Sequence, residues 1–387
     1  MELELSETGS MGYLTHAKPI MAILTIDDES HEFRGNRHNF VDLLKVGREA
    51  GFIAYVLPAK NVKLSRQRLK GFTYSEETQT WEQKLFPLPN VVYNRIPLRE
   101  DELQPAVKKK INALMKHPQI HLFNPSFFNK WNLFEWLNLS RTTKPFIPAT
   151  RRLVTPVALG RMLRKHSFLY LKPVSGKAGV GIMTIKLQPE KTMPYRLKYQ
   201  EKKKSVTYRC SNLSKLWLRI KKQSTGEAYI AQQGIELASY QTRPFDLRAL
   251  LQKNQRGQWD ITGIGARLAG TASITTHVPR GGSIEDPEKL LVQFFGPEQA
   301  RKIYIQVRNN ALLIAKQIER GSGTRLGEMS MDLGVDINGQ MWFFEANSKP
   351  MKFDEQHIRK KSLERIYHYS NYLIKQQPKP GRAAVKS

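Results

Sequence analysis

Cysteine is almost absent from this chain: Cys210 is the only one in 387 residues. A single thiol excludes an internal disulfide framework and any thiolate zinc site built within one chain, and the expected compartment is a reducing cytoplasm. Long apolar runs are missing too, and no stretch approaches the roughly 18 residues that a membrane span needs. The opening segment, MELELSETGSMGYLTHAKP, is acidic before it is apolar and has no continuous apolar core, so neither a secretory signal nor a transit peptide is expected. Acidic residues are scarce beside basic ones, 34 against 62, for a formal net charge of +28. That imbalance suggests an anionic partner such as nucleic acid, an acidic polymer or an anionic surface, without choosing among them. The basic runs at Lys108 to Lys110, Lys202 to Lys204 and Arg359 to Lys361 read as solvated faces, and no recognised nucleic-acid motif accompanies them.

What remains is a globular composition, with 40% apolar and 10% aromatic residues interrupted by frequent Gly and Pro. By size the chain divides into two or three lobes. A β-α-β opening is predicted, with a strand over Ile20 to Asp27, a helix over Phe40 to Ala50 and a strand over Phe52 to Leu57. Val91 to Tyr93 gives a further strand, and Leu103, Val107, Ile111 and Leu114 mark a helical stripe. Asn124-Pro125 reads as a helix start, a capping side chain before Pro, where the first lobe closes. After Pro145 come short strands of an antiparallel sheet, at Phe168 to Lys172, Val180 to Ile185, Ala228 to Gln233, Leu247 to Gln252 and Trp259 to Ala266. The polar stretch Lys186 to Ser224 reads as a surface insertion carrying a helix. A long helix is predicted from Pro297 to Arg320, with Gly321 as its stop, and then a hairpin of Ser330 to Val335 and Met341 to Ala346 turning at Asn338-Gly339.

Three groups of residues carry chemistry. In LYLKPVSGKAGVGIMTI a strand delivers Lys172 and a turn containing Gly176, Gly179 and Gly181 follows. Such a loop can lay backbone N–H groups on phosphate oxygens while the lysine adds charge, although a Gly-rich turn alone is also just a turn. It is neither a Walker A loop nor a Rossmann fingerprint, because strand leads to strand. In the hairpin, alternation puts Glu345 and Asn347 on one face, and the paired strand can bring Asp332 alongside. Three oxygen donors suit a hard cation such as Mg²⁺, the other reading being a polar strand face in water. Asp336 competes as a carboxylate and is assigned to the turn. Between these groups, Asp246, Arg248, Arg267 and Arg280 with Gly281-Gly282 would offer guanidinium donors to phosphate or carboxylate, or simply surface ion pairs.

In this order, the blocks VVYNRIP, FNPSFFNKW, LKPVSGKAGVGI, YIAQQGIELASYQTRPFDLRALLQK, THVPRGG and MDLGVDINGQMWFFEANSKP resemble the ATP-grasp superfamily, and closely its YheC/YheD branch of bacterial endospore coat-associated proteins. The resemblance implies an α+β / α/β ATP-grasp fold with an N-terminal α/β pre-ATP-grasp lobe over 18–123. ATP-grasp subdomains would follow over 124–232, with the phosphate loop, and 233–377, with the metal site, and 378–387 would be a disordered basic tail. It implies ATP and Mg²⁺ as cofactors. Lys172 and Lys130 would contact phosphates, Ser175, Gly176, Gly179 and Gly181 would form the loop over them, and Gln232, Gln233, Gly234 and Ile235 would be the linker that holds adenine. Gln233 stands where most relatives carry a ribose-binding acid. Arg267 would steady the transferring phosphoryl group with Arg248 and Arg280, and Asp332, Glu345 and Asn347 would hold the metal. The implied reaction is a carboxylate attacking the γ-phosphate, then displacement of the acylphosphate by an amine or thiol, the alternative being a non-catalytic nucleotide-binding spore coat component that uses its basic surface. Substrates are a carboxylate and an acceptor left open by the sequence, with an anionic polymer or spore coat proteins as further partners, in a cytoplasmic or spore coat setting.

Overall fold

The computed structural model describes residues 18–174, 181–200, 205–224, 226–270 and 282–376. Its strands form three sheets. The first sheet has the order β4-β3-β2-β1-β5-β6, from β1 (Ile20–Thr25), β2 (Ile53–Pro58), β3 (Arg68–Ser75), β4 (Thr80–Pro87), β5 (Val91–Asn94) and β6 (His121–Phe123). Strands β1, β2, β5 and β6 pair in parallel and are nearly all buried, as expected of strands covered on both faces. Helices α1 (Arg37–Glu49), α2 (Arg99–Leu103) and α3 (Pro105–Lys116) connect them. The β3–β4 hairpin has no counterpart among the sequence expectations; its outer strand has no buried residue and lacks a clean apolar alternation.

The second sheet, order β11-β10-β9-β8-β12-β7, is antiparallel: β7 (Thr150–Arg152), β8 (Phe168–Pro173), β9 (Met183–Leu187), β10 (Tyr195–Gln200), β11 (Ser205–Cys210) and β12 (Tyr229–Gln233). Helix α4 (Lys130–Asn138) precedes it, and α5 (Pro156–Lys165) and α6 (Leu213–Ser224) pack on it. The stretch expected as a surface insertion is therefore two sheet strands and a helix, whose Leu197, Leu216 and Ile220 enter the core with Leu169 and Leu171. Few apolar residues per strand suffice, because only one face is covered.

The third sheet, order β16-β15-β14-β17-β18, comprises β14 (Arg243–Lys253), β15 (Trp259–Leu268), β16 (Ser283–Glu285), β17 (Glu328–Val335) and β18 (Met341–Asn347), with β13 (Ser239–Tyr240) beside β14. Helices α7 (Pro287–Phe295) and α8 (Pro297–Ser322) cover one face. Helix α8 ends at Gly323, which takes the left-handed conformation at φ 60°, and not at Gly321. Gly321 lies inside the helix, and Trp136 of α4 packs where its Cβ would be.

Two features tie the lobes together. Helix α9 (Gln356–Lys375) returns to the first sheet, where Tyr367 packs in the core against α1 and donates to the Leu43 carbonyl at 2.6 Å. Asn124 is not a helix cap: it is fully buried at φ 54°, its Oδ1 accepting from the Gly327 N–H at 2.7 Å and its Nδ2 donating to the Glu328 carbonyl at 2.8 Å. The cap of α4 is Asn129, which accepts from Trp131 and Asn132 and leaves Lys130 as the first helical residue. Residues 128–147 then pack against α8 and the third sheet, with Phe128, Leu133, Phe134, Leu137 and Ile147 in that core.

Candidate active site between the second and third sheets

Period-two alternation builds the site. Along β14, Phe245, Leu247, Ala249 and Leu251 turn into the core with α8, so Asp246 and Arg248 face the other side. The same split puts Met329, Met331 and Leu333 of β17 in the core with Ser330 and Asp332 opposite, and Ile264, Ala266 and Leu268 of β15 in the core with Arg267 opposite. In β18 the alternation is broken by a bulge: Asp332 pairs with Glu345, but Leu333 pairs with Phe343, which makes Phe344 the extra residue. Phe344 and Glu345 can then both face the site, while Phe343 and Ala346 stay in the core.

Arg267 is 6% exposed and sits between two carboxylates. Its Nε and Nη2 donate to Asp246 Oδ1 and Oδ2 at 2.9 and 2.8 Å, and Nη2 also lies 2.9 Å from Asp332 Oδ2. Burial works against its charge, but the carboxylates of Asp332 and Asp246 outweigh it and hold the guanidinium firmly protonated. Arg248, opposite Asp332 in the ladder, reaches its Oδ1 at 3.9 Å and lies over the Phe353 ring. Lys130 Nζ is 3.2 Å from Glu345 Oε2.

Lys172 approaches from β8. With Leu169 and Leu171 in the core of the second sheet, Tyr170 and Lys172 share the other face. Lys172 Nζ donates to Gln232 Oε1 at 2.6 Å, and it lies 5.4 Å from the Phe344 ring and 5.8 Å from the Tyr170 ring. Burial and the neighbouring Lys130 push its pKa down to about 8, against the opposing pull of Glu345, Asp332 and Asp246. An ammonium so depressed is under-compensated, and an arriving phosphate would supply the missing charge.

The linker after β12 uses two of its N–H groups internally: Gln233 donates to the Ala149 carbonyl and Gly234 to that of Phe168, each at 2.8 Å. Gly234 is required because Phe168 fills the space of a Cβ. The buried Ile235 keeps an N–H with no backbone acceptor among the described residues. Gly181 sits at φ 75°, with Tyr229 donating to its carbonyl at 2.9 Å. Ser175, Gly176, Gly179 and Arg280 lie outside the described residues. Asp336 is a turn residue, as expected: Oδ1 accepts from the N–H groups of Asn338 and Gln340, and Oδ2 from Trp342 Nε1. A groove of about 1020 Å³ near α4, lined by Trp131, Trp136, Lys144 and Trp342, shares only Gln233 with the predicted site residues.

A family model described as YheC/D like ATP-grasp matches residues 119–373. The chain belongs to this family. It is 28% identical over 371 residues to the endospore coat-associated protein YheD of Bacillus subtilis (strain 168), an alignment covering 93% of this chain and 80% of YheD. It is 22% identical over 323 residues to YheC of the same organism, covering 81% of this chain and 86% of YheC. Among solved structures, D-cycloserine synthetase DcsG superposes with a TM-score of 0.51 at 13% identity, covering 92% of this chain and 99% of DcsG, a likeness of fold. The fold is ATP-grasp, with mixed α and β layers.

For this YheC/D-like chain, the donor set fits the cation that the fold implies. Asp332 and Glu345 face each other across β17 and β18, and Asn347 stands opposite Ser330. Two carboxylates and an amide are hard oxygen donors, too few for an all-protein cage, as suits Mg²⁺ completed by phosphate and water. Two residues beyond Asn347 the chain is anchored: Lys349 is buried against Glu102 of α2, the Ile96 carbonyl and the Phe127 ring, and burial pushes its pKa down to about 8. Sequence reasoning missed Tyr170 and Phe344 as the rings under Lys172 and the Lys349–Glu102 link. The alternation in FLYLKP pointed to the first; the link joins residues 247 apart and left no local signal.

Proposed function

We propose that the chain is an ATP- and Mg²⁺-dependent, ADP-forming carboxylate ligase, joining a carboxylate to an amine or thiol through an acylphosphate. The observation that carries this reading is the convergence of Lys172 of the second sheet, 5.4 Å from the Phe344 ring of the third, with Arg267, Asp332 and Glu345. Lys172 and Lys130 would bind phosphate oxygens and the Ile235 N–H would read the adenine edge. Asp332, Glu345 and Asn347 would hold Mg²⁺, which when bound neutralises phosphate charge. Arg267, fixed by Asp246, would meet the negative charge that builds on the transferring phosphoryl group. Phosphoryl transfer asks for positioning and charge neutralisation more than for acid–base groups, and this site is built of such groups. A carboxylate oxygen would attack the γ-phosphorus and ADP would leave; the acceptor would then displace phosphate from the acyl carbon.

The relatives' names connect them with the endospore coat, and we extend that setting, with a cytoplasmic origin, to this chain. Its charge of +28 favours one further reading, a non-catalytic nucleotide-binding coat component that holds an anionic partner. Purified protein with ATP, Mg²⁺ and a panel of amino acids and peptides separates the two. The ligase reading expects ADP release that requires both a carboxylate and a nucleophile, and its absence across the panel supports the coat reading.

A further inference from the structure

Glu355 occupies the N-cap position of α9, yet its side chain makes no capping bond. It turns onto the third sheet instead. A Cβ on Gly265 would overlap Glu355 Oε1, and a Cβ on Gly263 would overlap Ile358. These two glycines let the first turn of α9 close down on β15 and leave room there for one carboxylate. Gly265 stands opposite Arg248 in the ladder and two residues from Arg267, so Glu355 lies on the face that carries Asp246, Arg248, Arg267 and Asp332.

The other acids of this face are bracketed by cations: Asp246 and Asp332 by Arg267, and Glu345 by Lys130. The half-buried Glu355 carboxylate makes no hydrogen bond or salt bridge among the described residues, in a chain carrying 62 Lys and Arg. A half-buried carboxylate that forms no ion pair of its own, on the face of the charged site residues, is suited to receive a cation from a ligand. We propose that Glu355 receives the acceptor as its ammonium and takes the proton that must leave before the nitrogen attacks the acyl carbon, which makes the acceptor an amine rather than a thiol. An anionic carboxylate attracts an ammonium and repels a thiolate. This inference rests on the ligase reading and narrows it.

The test uses the full chain with ATP, Mg²⁺ and a panel of N-acetyl amino acids, which bring carboxylates and no α-amine. Three nucleophiles are compared near pH 7: glycinamide as a cationic amine, hydroxylamine as a neutral one, and N-acetylcysteamine as a thiol. The expected result is faster ADP release with glycinamide than with N-acetylcysteamine, and a glycinamide-to-hydroxylamine rate ratio that falls at least tenfold in Glu355→Gln. Glu355→Asp should recover part of that ratio. Gly265→Ala, which displaces the carboxylate without changing it, should lower the ratio in the same direction, and a thermal melt identifies any variant that fails to fold. A ratio within twofold of wild type in both Glu355→Gln and Gly265→Ala overturns the inference while hydroxylamine-dependent ADP release leaves the ligase reading standing. No ADP release with any nucleophile overturns both.

Discussion

Replacing Lys172 by Met should separate what the residue does for folding from what it does for ligand binding. Its pKa falls from 10.5 to about 8, so the folded protein disfavours the ammonium form. Taken whole, such a shift corresponds to about 3.5 kcal/mol, at about 1.4 kcal/mol per unit. The side chain keeps part of its surface in water, and screening reduces the cost to about 1–2 kcal/mol. Removing the ammonium relieves that cost but deprives Gln232 Oε1 of its 2.6 Å donor, a loss of about 1 kcal/mol. Lys172→Met is therefore expected to lie between neutral and about 1 kcal/mol more stable than wild type at pH 7, by urea denaturation. The pH dependence gives a second reading. Between about pH 8 and 10.5 the unfolded chain binds more protons at this site, so wild-type stability from this group should rise with pH through that window, and the rise should be absent in the variant. Nucleotide binding should behave oppositely, with ATP affinity by calorimetry falling at least about 30-fold, since a charge-assisted phosphate contact is worth roughly 2 kcal/mol or more. A variant destabilised by more than about 1 kcal/mol that still binds ATP like wild type would refute this reasoning.

Arg267→Met strands Asp246 and Asp332 in a buried setting and is expected to cost about 3–5 kcal/mol, read from the urea midpoint. Asp336→Ala removes three hydrogen bonds from the hairpin turn and should destabilise by about 1–3 kcal/mol while ATP affinity with Mg²⁺ stays within twofold, which separates a turn carboxylate from a metal ligand. Gly181→Ala forces a Cβ towards the Tyr229 hydroxyl at positive φ and should lower the melting temperature by several degrees, for a cost of about 1–2 kcal/mol. Glu102→Gln weakens the Lys349 anchor two residues beyond Asn347; protein stability should fall, and the affinity gained from Mg²⁺ should fall with it, as measured by ATP calorimetry with and without the metal.

The parts of this fold that could be read from the sequence are those in which one residue's neighbours along the chain are also its reason. Alternation in PFDLRALLQ and EMSMDLGV separates core from site residues by itself, and the stripe of Ile303, Val307, Ala311, Ile314 and Ile318 gives α8. Long-range reasons stayed hidden. Asn124 looks like a cap until Gly327 and Glu328, 203 and 204 residues away, claim its side chain. Gly321 looks like a stop until Trp136 packs over it. In the site, residue types and order were enough to nominate Lys172, Arg267, Asp332 and Glu345. The bulge that turns Phe344 and Glu345 to the same side, and the Asp246 carboxylate that fixes Arg267, depend on register, which one strand alone does not encode.

The central claim is that nucleotide and Mg²⁺ meet between Lys172 and the Asp332, Glu345 and Asn347 oxygens. Calorimetric ATP affinity, measured with Mg²⁺ and with chelator for wild type and for Asp332→Asn/Glu345→Gln, tests it most directly. Wild type should bind ATP at least about tenfold more tightly with Mg²⁺, and the double variant should lose that gain. An undiminished gain from Mg²⁺ in the double variant would contradict the account.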